Sequence, residues 1–293
     1  MVRAALPLIF VCTLLPAADW KIDHATVAGS DVKVMQAALQ KVGIATVYGG
    51  PHTNHASEIA LVSFPDGSYL ELMAIQPNAD PAAVRAHEWT KFLTGNAGPC
   101  AWALREANLA VEVARLRAAG VTVSEPENSG RQRPDGVKLA WQTSSIGEGT
   151  RGGFFPFLIQ DKTPREQRVY PQGKPVSHEF KGIARVVIAV RNLDEAIKRY
   201  RLAYGLPLPI KQVDAEFGAQ LAVMGGGSVV LAAPLNGQSW LAERLEKFGE
   251  APCAFILAAN NLKKWQAGSQ TRWFGTEIAW LDAGWRLGIE AAR

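Results

Sequence analysis

The chain has 293 residues, 48% apolar and 20% charged, with 31 basic against 27 acidic residues and a net charge of +4. This length suggests two packed domains, and the composition argues against a disordered chain. The charge is too balanced and too scattered for a nucleic-acid groove, and no basic run forms a binding arm.

Residues 1–18 stand apart. Arg3 is followed by the apolar AALPLIFVCTLLP and then by small residues. This reads as a secretory signal peptide cut near Ala17 or Ala18, too short for a membrane span, which takes ~20 residues. Cys12 follows bulky Ile9, Phe10 and Val11, which does not suit a lipoprotein signal. The mature chain is expected to be secreted or periplasmic, with no span left after processing.

IDHATVAGSDV, from Ile22, reads as a strand entering a helix near Asp31, with Ser30 as N-cap. Met35, Leu39 and Val42 share its inner face, and Gly43 ends it. IATVYGG, EIALVSF and SYLELMAI follow as strands. PCAWALREANL, from Pro99, gives another strand and a helix after Asn108. That helix carries Leu109, Val113 and Leu116 on one face and stops at Gly120. VTVSEP, KLAWQTS and FFPFLIQ are the next strands. The Pro-, Lys- and Gln-rich segment around 163–178 reads as a linker.

From 179 the phrases return. IARVVIAVRNL, from Ile183, echoes IDHATVAGSDV at an offset of 161 residues. GGSVVLAAP, from Gly226, echoes DGSYLELMA at 160, and PCAFILAANNL echoes PCAWALREANL at 153. Three phrases in the same order indicate a duplicated unit. The third helix begins after Asn192, with Glu195 completing a capping box, and ends at Gly205. A fourth is expected from Asn261 to Gly268. KQVDAEF, LAVMG, SVVLAA, TEIAWLD and WRLGIEA supply strands, with one strand of the last quarter expected to be missing. The remaining cysteines, Cys100 and Cys253, occupy equivalent places in the repeat and read as core residues rather than a disulfide.

The grammar is β-α-β-β-β, four times over. The expected fold is α+β: paired βαβββ modules forming cupped mixed sheets, duplicated into two units at 19–162 and 179–293. A ligand would sit in the cup.

This grammar resembles the vicinal oxygen chelate superfamily. The first unit resembles its glyoxalase-like domain, through IDH at 22–24, GGPH at 49–52, DGSYLELMA at 66–74, GRQRPDG at 130–136, LAW at 139–141 and PFLI at 156–159. The motifs cover roughly 20–162. The second unit matches in pattern only and reads as a degenerate copy.

The resemblance implies a divalent metal (Zn, Mn, Fe or Ni) acting as a Lewis acid in the cup, held by residues of first and last strands. His24 and Glu71 fit those places. Strand alternation puts Ile22, His24 and Thr26 on one face, and Tyr69, Glu71 and Met73 on another. The second module offers only Ala101, Trp102, Ala103 and Leu104, then Phe155, Pro156, Phe157 and Leu158, so a third ligand would be His52 or His55. The alternative is a His24–Glu71 ion pair or hydrogen-bonded pair that closes the cup without metal. In the second unit Arg185 stands where His24 does, and Leu231 where Glu71 does.

Arg131 and Arg133 offer planar forks for a carboxylate or other oxyanion. Their alternative is pairing with Glu125 or Asp135 across the hairpin. Trp102 and Trp141 could stack on a flat ligand or fill the core. His87 and His178 receive no role. No G-x-S-x-G elbow, P-loop, dinucleotide fingerprint or H-E-x-x-H occurs.

Two functions stay open: a metal-dependent lyase, isomerase or dioxygenase acting on a small acidic molecule, with Glu71 moving the proton, or a non-catalytic small-molecule binder. The chain is expected to be a monomer or homodimer, its second unit covering the first. Export disfavours a true glyoxalase I reaction, because the glutathione it needs is scarce outside the cytoplasm.

Overall fold

The structure is a computed structural model describing residues 20–265 and 268–293. The expected signal peptide lies outside the described residues.

The first unit runs β1 (Ile22–Ala28), α1 (Val32–Lys41), β2 (Val47–Pro51), β3 (Ser57–Ser63), β4 (Tyr69–Ile75), short helices α2 (Pro81–Ala86) and α3 (Thr90–Thr94), β5 (Gly98–Arg105), α4 (Leu109–Ala118), β6 (Glu127–Gln132), β7 (Lys138–Ser145) and β8 (Phe157–Asp161). A short helix, α5 (Arg165–Val169), follows. The second unit runs β9 (Phe180–Ala189), α6 (Leu193–Tyr204), β10 (Ile210–Asp214), β11 (Ala219–Met224), β12 (Val229–Pro234), α7 (Trp240–Phe248), β13 (Ala251–Ala259), β14 (Gln270–Trp273), β15 (Thr276–Asp282) and β16 (Arg286–Ala291).

Each unit is one eight-stranded mixed sheet, and the orders match: β2-β3-β4-β1-β5-β8-β7-β6 and β10-β11-β12-β9-β13-β16-β15-β14. The duplication read from three phrases is therefore a duplication of topology. In each unit the first strand of one module lies antiparallel to the first strand of the next, β1 on β5 and β9 on β13.

The helices bury most of the stripes that their spacing dictates, Met35 and Leu39 on α1 and Leu109, Val113 and Leu116 on α4; Val32 joins the α1 stripe, while Val42 lies just past the helix as its half-buried C-cap. These join α6, through Tyr200 and Tyr204, in one apolar core shared by both units. Arg244 of α7 adds a polar clamp, donating to the carbonyls of Ala97, Pro99 and Pro252 and so joining the two PC phrases.

Several local expectations are corrected. Asp31, not Ser30, caps α1, because its carboxylate accepts from Lys33 and Val34 N–H. The strand expected at VTVSEP is a single bridge, Val123 to Ile146, and β6 begins four residues later. The fourth helix is a 3-10 turn at Leu262–Trp265, while α7, capped by Ser239, was not anticipated. The strand expected to be missing is present as β14.

The second cup is filled. Phe217 meets Trp273 edge-on at 4.9 Å and Trp280 at 5.5 Å. Arg185 is buried at the place of His24 and donates to Glu290 at 2.6 Å. That concavity is a packed core closed by an ion pair.

Candidate functional site

The first cup is open. A cavity of ≈ 170 Å³ lies on its concave face, reached by His24 of β1, Tyr69 and Glu71 of β4, Arg131 of β6, Trp141 of β7 and Phe157 of β8. The segment between β4 and β5 closes one side with His87 and Trp89, and α5 contributes Arg168.

A bulge re-aims β1. The pairing of β1 with β5 slips between Ile22 and His24. Asp23 is the extra residue, and an extra residue breaks strict alternation. Ile22 therefore faces the helix-side core with Ala25 and Val27, contrary to the simple two-residue count, while His24 faces the cavity. Tyr69, Glu71 and Met73 line the cavity together, as alternation predicts.

His24 and Glu71 are brought to one cavity but not paired. β1 and β4 are parallel, with His24 opposite Tyr69 and Thr26 opposite Glu71. His24 stacks on Tyr69 at 4.8 Å, and its Nδ1 lies 2.6 Å from Asp23 Oδ1. Glu71 is 6% exposed and accepts from Thr26 Oγ1 at 3.1 Å. The expected His24–Glu71 contact is replaced by a separate partner for each.

Arg131 is 5% exposed and lines the cavity. Its Nη1 donates to Gly49 O at 2.7 Å, tying edge strand β6 to edge strand β2 across the cup. Among the described residues no carboxylate stands within ion-pairing distance of it. The alternative pairings fall elsewhere: Glu125 pairs with Arg117, and Asp135 with Arg133. Burial pulls the Arg131 pKa below its ordinary value, against the nearby Tyr69 and Glu71.

Arg133 lies outside the cavity. It donates to Gln167 and Pro171 carbonyls and fixes the hairpin to the segment after β8. Trp102 is also corrected. It is 0% exposed and packs on Trp20 in the core shared by both units, on the opposite face of β5 from Ala101 and Ala103. It cannot reach a ligand in the cup. Trp141 does line the cavity. His55 is an exposed turn residue with φ 56°.

His52 lines the cavity with His87, and Ser57 lies between them: His52 Nδ1 to Ser57 Oγ is 2.9 Å, and Ser57 Oγ to His87 Nε2 is 3.3 Å. Burial drives His52 down to about 4; Glu71 opposes the shift, and Arg131, His87 and His24 add to it. Burial lowers His87 as well. The sign follows from linkage. Below ~6.5 the unfolded His52 binds a proton that the folded one refuses until about 4. Stability is expected to fall with pH across that window, by up to about 1.4 kcal/mol per pH unit from this group. Denaturant titrations at pH 7 and pH 5 should show a smaller loss in His52→Gln; an equal loss would remove His52 as the cause.

Arg168 and Arg151 were not singled out in the sequence. Arg168 is 2% exposed and donates to Asp23, Asp161 and the Tyr69 hydroxyl. Arg151 lies over Phe157 at 5.6 Å, with Glu127 and Glu88 at 3.4 and 3.5 Å.

A family model for the glyoxalase-like domain matches residues 22–204, more than half of the chain. The chain belongs to the glyoxalase-like domain family. The match runs through α5 and into α6, further than the motifs of 20–162, so the family pattern includes the segment carrying Arg168. Among curated proteins none matches this glyoxalase-like chain. Of solved structures, a hypothetical protein from Staphylococcus aureus is 15% identical, covers 93% of this chain and 99% of its own, and superposes with a TM-score of 0.64. A mutant 4-hydroxymandelate synthase from Streptomyces coelicolor is 11% identical, covers 94% of each chain and gives 0.60. Methylmalonyl-CoA epimerase from Mycobacterium tuberculosis is 23% identical over 39% of this chain and 90% of its own, at 0.35. The first two likenesses show a shared fold along nearly the whole chain. No helix among the described residues is long and apolar enough to cross a membrane.

The divalent ion implied for the cup does not fit this glyoxalase-like site. Among the described residues no three His, Cys, Asp or Glu side chains stand close enough to hold one ion. A catalytic zinc keeps three protein ligands. Here Nδ1 of His24 is turned to Asp23 and Nδ1 of His52 to Ser57, and the charge of Arg131 acts on His52. Elemental analysis of purified chain is expected to find far less than one equivalent of Zn, Mn, Fe or Ni. A full equivalent lost in His24→Ala would reverse that conclusion.

Proposed function

We propose that this glyoxalase-like chain binds a small organic acid in the first cup and moves a proton on it, as an isomerase or lyase. The observation that carries the reading is Arg131, a buried guanidinium with no carboxylate partner among the described residues, beside an open cavity. Burying an unpaired charge costs several kcal/mol, and an anionic ligand offsets that cost. Arg131 spends one N–H on Gly49 and has further donors for a carboxylate.

The rest of the wall supports the same reading. Tyr69, Trp141 and Phe157 offer flat apolar surface for the body of the ligand. A cavity of about 150 Å³ accepts a benzene-sized guest, so ≈ 170 Å³ suits a molecule of that order. Glu71 is the carboxylate nearest in role to a base: it is buried and neutralised by no ion pair among the described residues. With the acid group held by Arg131, Glu71 would take a proton from the neighbouring carbon.

The test needs no knowledge of the overall reaction. Small keto and hydroxy acids are incubated with the chain in D2O, and deuterium uptake at the carbon beside the carbonyl is followed by NMR. Uptake lost in Glu71→Gln, with binding retained, supports the reading. Binding without any uptake would leave sequestration. That second reading draws support from the lack, among the described residues, of three His, Cys, Asp or Glu side chains close enough to hold one ion.

Residues 1–18 support export as the setting. Mass spectrometry of the exported chain should find its N-terminus just after Ala17 or Ala18; an intact Met1 on exported protein would count against cleavage there.

A further inference from the structure

We propose that Asp23 and Arg168 are positioning residues that present His24 to the cavity as a single tautomer, with the proton on Nδ1 and the lone pair on Nε2. The bulge in β1 is what allows it. In a regular strand the side chains of neighbouring residues point to opposite faces. The slip in pairing at Asp23 brings its carboxylate to 2.6 Å from His24 Nδ1.

Asp23 is fully buried and faces two guanidinium groups. Arg168 Nη1 donates to its Oδ1 at 3.0 Å and Nη2 to its Oδ2 at 2.9 Å. Arg165 Nη1 donates to Oδ2 at 2.5 Å. A carboxylate so paired is ionised, and an ionised carboxylate only accepts hydrogen bonds. The nitrogen beside it must therefore carry the proton, and in a neutral imidazole the other nitrogen is then bare.

Arg168 is itself held. Nε donates to Asp161 Oδ1 at 2.5 Å and Nη2 to Asp161 Oδ2 at 3.0 Å, while Nη1 also donates to the Tyr69 hydroxyl at 2.8 Å. Tyr69 in turn stacks on the His24 ring, and Phe157 meets that ring edge-on at 5.3 Å. One side chain of α5 thus fixes both the acceptor of the His24 proton and a face of its ring. The short helix between the units belongs to the site.

The consequence is a preference in the ligand. The cavity would present an acceptor at His24 Nε2 and a donor at Arg131. These complement a molecule with a hydroxyl or enolisable group a short distance from its acid group. This last step rests on the proposed acid-binding role of the cup; the tautomer does not.

The test is a long-range proton–nitrogen NMR spectrum of histidine-labelled, ligand-free chain at neutral pH. The five histidines allow assignment through His24→Gln. The expected result is a protonated-type Nδ1 and a lone-pair-type Nε2 for His24. In Asp23→Asn the lone-pair signal should move to Nδ1 or split between the nitrogens. In Arg168→Lys, which keeps the charge but loses the fork, a second tautomer should become visible. A proton on Nε2 in the unsubstituted chain, on either tautomer or a doubly protonated ring, overturns the proposal. That spectrum decides even where Asp23→Asn does not fold. An unchanged His24 signal in Arg168→Lys overturns the part assigned to Arg168. Acid binding is titrated separately: a fixed tautomer without acid binding would refute the proposed function and leave the positioning intact.

Discussion

Arg131→Met is expected to weaken binding of a small carboxylate roughly 30- to 100-fold, a loss of about 2–3 kcal/mol for charge-assisted hydrogen bonds. The same substitution should leave the ligand-free chain as stable as before, or slightly more stable. An arginine that serves mainly as a structural strut would behave in the opposite way, because its loss would cost stability. Arg131 makes one strut-like contact, to Gly49, and the rest of its charge lacks a protein partner among the described residues. Burying an unpaired charge costs several kcal/mol, so an apolar side chain of similar length recovers that cost and offsets the lost bond to Gly49. Arg131→Lys should recover little affinity, since one ammonium cannot both hold the Gly49 carbonyl and grip a carboxylate in two bonds. The measurement is calorimetry with small carboxylates, beside denaturant unfolding of the empty chain. Retained affinity in Arg131→Met would remove the main support for an acid ligand.

Much of this arrangement can be read from residue order. The β-α-β-β-β grammar survives because helix caps and apolar spacing act locally: Asn108 and Asn192 cap their helices, and Gly205 ends one at φ 65°. His24, Glu71, His52, Arg131 and Trp141 share one cavity, because each is polar or aromatic in an otherwise apolar or turn-rich phrase. The failures have equally local causes. CAWAL is apolar on both faces of a central strand, so alternation gives no sign of which face is the cup, and Trp102 falls on the helix side. The bulge at Asp23 leaves no signature in composition, yet it decides where Ile22 and His24 point. Arg168 sits among Pro, Lys and Gln, a composition that marks a connection, and its role exists only once β1, β8 and α5 meet.

The duplication shows how one fold phrase carries two outcomes. At the place of His24 the second unit has Arg185, and Glu290 of β16 supplies the countercharge. Around this pair Phe217, Trp273 and Trp280 fill the space that the first cup leaves open. Large aromatic side chains bury much apolar area, so the second sheet gains a core where the first keeps a cavity. The first unit keeps its open cup over a polar floor instead, where Arg168 is tied to Asp23.

The floor tie makes the strongest stability prediction. Arg168→Met is expected to destabilise the chain by about 3–5 kcal/mol, the usual cost of removing one partner from a buried ion pair. Asp23 would keep Arg165 and His24 but lose two hydrogen bonds. The acid dependence should change too. Burial alone would raise the Asp23 pKa, but Arg168, His24 and Arg165 together hold it well below the ordinary carboxylate value. A carboxyl with a depressed folded-state pKa adds stability that is present above its unfolded value, ~3.9, and lost as pH falls through the lower folded value. The unsubstituted chain should therefore keep this contribution down to about pH 4. In Arg168→Met burial weighs more heavily, and acid loss should begin at higher pH. Combining Arg168→Met with Asp23→Asn should cost less than the two single losses added together, because both changes remove the same hydrogen bonds and the second also removes the charge left under-compensated by the first. Denaturant midpoints from pH 3 to pH 7 for the three variants measure all of this. Strict additivity, or a loss below about 1 kcal/mol in Arg168→Met, would place Asp23 and Arg168 among contacts of the size seen at exposed surfaces, and α5 would return to being a connection.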